Sequence, residues 1–133
     1  IVAGGYGSRF GTELPKQYSP LNDKTVIYHA IVPFLKHPLI TGVQVVISRG
    51  AESLYESSLK GVDLLPAVHG GTTRQESVYR GLQALKQYNP DLVLIHDAAR
   101  PYVTNVLIDR VIKALESADA CIPVISVADT IKR

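Results

Sequence analysis

Five short aliphatic runs, at 1–3, 43–48, 64–68, 92–96 and 120–127, alternate with segments whose apolar residues recur at helical spacing. Most of these runs are continuous and β-branched, the pattern of strands covered on both faces. Their alternation with helices predicts a mainly parallel α/β sheet. The helical segments are 25–37, with Val26, Ile27, Ala30, Ile31 and Phe34 in phase, and a weaker one at 51–60 carrying Leu54 and Leu59. Two more lie at 74–88, with Val78, Leu82 and Leu85 on one face, and at 104–117, with Leu107, Ile108, Val111, Ile112 and Leu115. Pro33 is expected to kink or shorten the first helix. These apolar sets are core and carry no function of their own.

With 133 residues, 46% of them hydrophobic and 20% charged, the chain can build one core, which excludes disorder and makes a second independent domain unnecessary. The formal net charge is +2, from 14 Lys and Arg against 12 Asp and Glu, so no global field selects nucleic acid or an anionic membrane. Any anion site must be local. Cys121, the only cysteine, excludes a disulfide scaffold, is expected as a buried and inert thiol, and fits a reducing cytoplasm. No apolar run reaches the roughly 18 residues that span a bilayer, and the N-terminus lacks a signal-peptide layout. The opening on an apolar strand-like run, the absence of Met and the stop at Arg133 after another such run read as an interior portion of a longer polypeptide.

Segment 4–23 is rich in Gly and Pro and lacks clear periodicity, which marks it as the first place to look for chemistry. It begins Gly4-Gly5-Tyr6-Gly7-Ser8-Arg9-Phe10-Gly11 and continues to Leu14-Pro15-Lys16-Gln17. Glycines let backbone N–H groups converge on phosphate oxygens, and a Gly-rich turn after the first strand is where open α/β sheets bind nucleotides. The dinucleotide fingerprint from Gly5 fails at Phe10, and the G-K-S/T of a P-loop is absent. Arg9 and Lys16 remain as two cations flanking the row of backbone donors, an arrangement suited to a polyphosphate whose bond is breaking. A flexible surface turn with solvated cations is the alternative reading.

Two further turns follow strand-like runs. In Gly70-Gly71-Thr72-Thr73-Arg74-Gln75-Glu76-Ser77, Thr73 and Glu76 match a capping box and place Arg74 and Ser77 in the first helical turn, where acceptors and anions are favoured. This is either a well-capped helix after a glycine turn or a ligand cradle, and as the third strand-to-helix junction it should open on the same sheet edge as the first loop. In His96-Asp97-Ala98-Ala99-Arg100-Pro101, Asp97 stands at a strand's carboxyl end. There it can hold Mg²⁺ or a ribose hydroxyl, or it can simply pair with Arg100. A zinc site lacks clustered His and Cys, and His29, His37, His69 and His96 read as structural.

Taken together, Ala3-Gly4-Gly5-Tyr6-Gly7-Ser8-Arg9, Pro15-Lys16-Gln17-Tyr18, Gly70-Gly71 with Arg74 and Ser77-Val78, His96-Asp97-Ala98-Ala99-Arg100-Pro101 and Asp129-Thr130 resemble the 2-C-methyl-D-erythritol 4-phosphate cytidylyltransferase family of the nonmevalonate isoprenoid pathway. The resemblance runs the length of the chain. It implies a Rossmann-like nucleotidyltransferase fold with helices on both faces of the sheet, and a CTP- and Mg²⁺-dependent transfer of CMP to a sugar-alcohol phosphate with release of pyrophosphate. By resemblance, Arg9 and Lys16 stabilise charge at the α-phosphate, and Ala3, Gly4, Gly5 and Gly7 cradle the triphosphate and contact the base. Gly71, Thr72 and Ser77 read the cytosine in a pocket that Arg74 shapes. Asp97 and Ala98 meet the ribose, Asp97 lies close to the metal, and Arg100 and Thr130 belong with the methylerythritol phosphate.

Gly4 stands where Ala is frequent in the family, and Thr72 and Thr73 stand where acidic residues are frequent. The resemblance further implies a cytoplasmic homodimer whose dimerisation arm and remaining substrate-positioning residues lie beyond Arg133, within a single nucleotidyltransferase domain of which 1–133 is a part. The rival readings are a ribitol 5-phosphate cytidylyltransferase, a nicotinamide-binding oxidoreductase domain using Arg49, and a non-catalytic nucleotide-binding module.

Overall fold

The computed structural model describes residues 1–5 and 14–126. Its centre is a parallel sheet of β1 (Val2–Ala3), β4 (Gln44–Ile47) and β5 (Leu65–His69), in the order β1-β4-β5. Val2 faces Val46 and Ala3 faces Ile47, while Gln44 faces Leu65 and Ile47 faces His69 across a register shift between Gln44 and Val46. A small antiparallel hairpin, β2 (Pro20–Leu21) with β3 (Lys24–Thr25), precedes helix α1 (Val26–Leu35). Asn22 takes a φ of 55° in its turn, a left-handed conformation that Asn tolerates better than most residues. Helices α2 (Glu52–Ser58), α3 (Arg74–Leu85) and α4 (Asn105–Ala114) complete the described elements, with single 3₁₀ turns at Lys16–Tyr18 and Lys86–Tyr88. No helix among the described residues is long and apolar enough to cross a membrane.

Alternation along β4 divides the protein into layers, because successive side chains leave a strand on opposite faces. Val45 and Ile47 join Ala3, Ile27, Ile31 and Phe34 of α1 and Ile108 of α4 in the buried core. Val46 turns the other way, toward Val78, Gly81 and Leu82 of α3. Helices therefore cover both faces of the sheet, as the alternating pattern predicts. Gly81 is the closest point of that second layer: a Cβ built on it would stand 2.8 Å from Val46 Cγ2. The missing side chain lets α3 approach the central strand.

Four expectations need correction. The run 92–96 forms no strand of its own; it meets β1 only through a parallel bridge between Val2 and Asp97, with Val2 N–H on His96 O at 2.8 Å and Ala98 N–H on Val2 O at 3.0 Å. The described part of the last run, 120–126, carries no ladder either, and Pro123 cannot donate to one. Cover on both faces holds for β4, which is buried throughout, and fails for the edge strand β5, where Pro66, Ala67 and His69 are exposed. Cys121, expected as buried, is half-buried, its thiol donating to Val111 O at 3.4 Å. Pro33 sits inside α1, which ends two residues later at Leu35.

Candidate functional site

Strand order places the site. The chain steps outward from β1 to β4 to β5 and then returns to the opposite side of β1 at Asp97. The crevice at such a reversal, beyond the carboxyl ends of the strands, is where ligands enter open α/β sheets. A cavity of about 750 Å³ lies there, walled by Ala3, Gly4, Gly5, Lys16, Gln17, Gly71, Thr72, Thr73, Arg74, Ser77, Asp97, Ala98, Ala99 and Arg100. Of the residues singled out from the sequence, Ala3, Gly4, Gly5, Lys16, Gly71, Thr72, Arg74, Ser77, Asp97, Ala98 and Arg100 thus converge on one space. Arg9, Gly7 and Thr130 lie outside the described residues.

The first wall is the end of β1. Gln17, buried in the 3₁₀ turn behind Pro15, donates through Nε2 to the carbonyls of Ala3 at 2.8 Å and Gly5 at 3.0 Å. A trans peptide sends its N–H opposite to its C=O, so this clamp also fixes the direction of the Gly4 donor. The same turn carries exposed Lys16 into the cavity wall beside the glycines. Sequence reasoning did not assign Gln17 a role, because a lone Gln after Lys carries no spacing signal.

The second wall is the turn between β5 and α3. Thr73 caps α3 by accepting Glu76 N–H at 3.1 Å, as the capping box predicts. The reciprocal bond differs from expectation: the Glu76 carboxylate passes over Thr73 and accepts Thr72 N–H at 2.9 Å and the Thr72 hydroxyl at 3.2 Å. Those donors, the Thr72 backbone first and then the Arg80 guanidinium, hold Glu76 below its ordinary pKa. Ser77 Oγ accepts Gly71 N–H at 3.0 Å and donates to Thr73 O at 2.9 Å. A Cβ on Gly4 would approach that same Oγ to 3.2 Å, so the two glycine turns meet over Ser77.

On the third wall, Asp97 Oδ1 accepts both Nε (3.1 Å) and Nη2 (2.9 Å) of Arg74, and Oδ2 pairs with Arg100 Nε at 3.2 Å. The pairing with Arg100 is therefore present, with Arg74 as a second partner reaching across from α3. Both arginines are largely exposed, and exposed pairs contribute little stability. Their consequence is orientational, since the carboxylate is fixed at the cavity edge. The amide of Ala98 is committed to Val2 O at 3.0 Å, and this buried residue lines the cavity beside Asp97. His96 packs its ring on Phe34 at 5.0 Å and contacts Arg100 O at 2.9 Å; burial is the main influence lowering its pKa. His29, His37 and His69 likewise bind within the protein, to Leu21 O, Asp109 and Glu52.

Comparison with known proteins shows the family. Residues 1–133 match the family model described as IspD: 2-C-methyl-D-erythritol 4-phosphate cytidylyltransferase. The chain is 48% identical over 133 residues to a protein of Paramagnetospirillum magneticum named bifunctional enzyme IspD/IspF, covering all of this chain and 35% of that one. A protein of the same name from Rhodospirillum rubrum is 47% identical over 134 residues, again across all of this chain and 35% of the relative. The chain thus spans about a third of the length of these curated relatives. Among solved structures, bifunctional IspDF from Campylobacter jejuni superposes with a TM-score of 0.81 at 28% identity, over 99% of this chain and 34% of that one. A 4-diphosphocytidyl-2C-methyl-D-erythritol synthase gives 0.77 at 27% identity, over 99% and 61%. The sheet and its flanking helices are accordingly the Rossmann-like fold of these enzymes.

Proposed function

The chain belongs to the 2-C-methyl-D-erythritol 4-phosphate cytidylyltransferase family, and from that premise we propose that it supplies the CTP-binding and transfer site of an enzyme that moves CMP from CTP onto 2-C-methyl-D-erythritol 4-phosphate. The observation that carries the reading is the meeting of Gly4–Gly5, Lys16, the Gly71 turn and Asp97 on one cavity at the strand-order reversal. In the proposed mechanism, a phosphate oxygen of the acceptor attacks the α-phosphorus of CTP, the bond to the β-phosphate breaks, and pyrophosphate leaves. The nucleophile is already anionic, so the protein needs no strong base. Positioning and charge stabilisation can supply most of the rate.

Each wall has a part in this. Lys16, with Arg9 from the same segment, neutralises charge as it builds on the α-phosphate. The backbone of Ala3, Gly4, Gly5 and Gly7 lies along the triphosphate, with the Gln17 clamp holding the carbonyls of Ala3 and Gly5. Gly71, Thr72 and Ser77 face the cytosine, with Arg74 closing that pocket. Asp97 and Ala98 hold the ribose, and Arg100 and Thr130 receive the acceptor, toward which Asp97 also reaches.

Mg²⁺ belongs to the same proposal. Among the described residues no cluster of His, Cys, Asp and Glu can hold a metal by itself, and Asp97 is the carboxylate that the cavity wall offers. Its Oδ1 is filled by Arg74, whereas Oδ2 accepts one bond and retains acceptor capacity. One carboxylate oxygen suits an ion that arrives on substrate phosphates and keeps several waters, so the residues fit Mg²⁺ in that form. Bound there, it would neutralise phosphate charge during transfer. A cytoplasmic homodimer completes the proposal, on the strength of the family resemblance.

The test is pyrophosphate release by the intact gene product with Mg²⁺ and CTP, offering methylerythritol phosphate and ribitol 5-phosphate in parallel, with Lys16→Ala as control. The proposal expects release with methylerythritol phosphate alone, and a loss of about a hundredfold or more in the variant, the usual cost of one transition-state donor. Release with ribitol phosphate alone would move the acceptor to the sister chemistry. A folded protein inactive with both, or a fully active Lys16→Ala, would overturn the reading.

A further inference from the structure

We infer that Arg80 is a positioning residue for the nucleobase, holding the Gly70–Thr72 turn so that it presents an acceptor to cytosine and rejects uracil; the inference rests on the proposed assignment of this turn to the base. Arg80 lies one helical turn below the cavity on α3, and neither the glycine pattern nor the capping box points to it. The geometry around it does. Its Nη1 donates to Gly70 O at 2.8 Å, and its Nη2 is paired with Glu76 Oε1. The other oxygen of Glu76 takes Thr72 N–H at 2.9 Å and the Thr72 hydroxyl at 3.2 Å. One guanidinium therefore ties down both ends of the turn, directly at Gly70 and through Glu76 at Thr72.

Two consecutive peptide planes are fixed in this way. The plane joining Gly70 to Gly71 is held at its carbonyl by Arg80 and at its N–H by Ser77 Oγ, at 3.0 Å. The plane joining Gly71 to Thr72 is held at its N–H by Glu76. Because a trans peptide sets C=O opposite N–H, fixing Thr72 N–H toward Glu76 turns the Gly71 carbonyl away from it. The Ser77 hydroxyl proton is engaged at 2.9 Å by Thr73 O and stands 3.5 Å from Gly71 O, so that carbonyl keeps acceptor capacity. Gly71 lines the cavity.

An acceptor at this place distinguishes the two pyrimidines. Cytosine carries a 4-amino donor where uracil carries a 4-oxo acceptor. Glycines flip their peptide planes at little conformational cost, and a flipped plane would offer an N–H that suits uracil instead. The Glu76 carboxylate is packed against the turn so closely that a Cβ on Gly71 would overlap it, at 2.0 Å from Cδ. Without Arg80 that carboxylate is free to swing to the Thr73 N–H of an ordinary capping box, and both planes lose their anchors. Arg is needed because its planar fork reaches a carbonyl and a carboxylate together, which a lysine ammonium matches poorly.

The experiment compares kcat/KM for CTP and UTP in the intact gene product, for wild type, Arg80→Ala and Arg80→Lys, with methylerythritol phosphate and Mg²⁺. The ratio is a property of active molecules, so partial loss of folded protein leaves it unchanged. Arg80→Ala is expected to lower the CTP:UTP ratio by about tenfold, the scale of one misdirected hydrogen bond, mainly through KM for CTP, with Arg80→Lys in between. A ratio within twofold of wild type in Arg80→Ala, or equal losses for both nucleotides, overturns the role of Arg80 while leaving the base assignment in place. A wild type that uses UTP as well as CTP overturns the base assignment and the inference with it.

Discussion

Gly81→Ala sets two effects of opposite sign against each other, and the structure decides between them. In an isolated helix the replacement is favourable by about 0.8–1 kcal/mol. Here the new methyl would stand 2.8 Å from Val46 Cγ2, against the roughly 3.5–4.0 Å at which carbon atoms rest. Val46 is 3% exposed, its side chain is short and branched, and its strand is held between β1 and β5. The helix has to lift by most of an ångström. Overpacking of this kind costs about 1–3 kcal/mol, which leaves a net loss of up to about 2 kcal/mol once the propensity gain is subtracted. The same displacement moves Ser77, four residues earlier on α3, and so the turn it anchors. Hydrogen exchange of the α3 amides in the intact gene product measures the effect: protection should fall, by up to about 30-fold, and KM for CTP should rise. Increased protection, the outcome of helix propensity acting alone, would refute the packing argument.

Other outcomes follow from the same contacts. Tyr18→Phe should be neutral or stabilising by up to about 1 kcal/mol in denaturant unfolding, because the hydroxyl is buried without a hydrogen-bond partner among the described residues. Burial first, and then Tyr55 and Glu52, push its pKa up to about 12 from 10.0. Full stability should therefore persist below pH 10 and decline as the pH rises toward 12, and the variant should flatten that alkaline limb; a loss above about 1 kcal/mol at pH 7 would contradict this. Asp97→Asn releases Arg74 and Arg100 from their shared carboxylate, so a Mg²⁺ titration should show weakened activity with stability changed by no more than about 1 kcal/mol. Unchanged activity across the titration would remove Asp97 from the metal and the ribose.

The layers were legible because burial on both faces leaves a continuous aliphatic run, as in β4, and because α1 and α4 repeat their apolar residues at helical period. The run 92–96 misled for the same reason: it has the composition of a buried strand, yet among the described residues it meets β1 only through the bridge at Asp97. At the site, the glycines, Lys16 and Asp97 stood out by residue type, and those of them that are described line one cavity. Contacts across the fold did not stand out. Gln17 acts on carbonyls 12 and 14 residues away, and Arg74 meets Asp97 across 23 residues, distances at which a single sequence holds no spacing rule. Arg80 is the exception, since its place four residues after Glu76 is a readable helical pair. Gly81 carried no signal in the sequence, and the nearness of Val46 explains it.

The central claim is that one cavity between the two glycine turns and Asp97 receives CTP, and a crystal structure of the intact gene product with CTP and Mg²⁺ tests it most directly. The account predicts the pyrimidine against Gly71 and Ser77, the ribose at Asp97 and the triphosphate along Gly4 and Gly5 toward Lys16. Nucleotide seated elsewhere, as in the groove between α4 and residues 93–96, or triphosphate remote from Lys16, would contradict it.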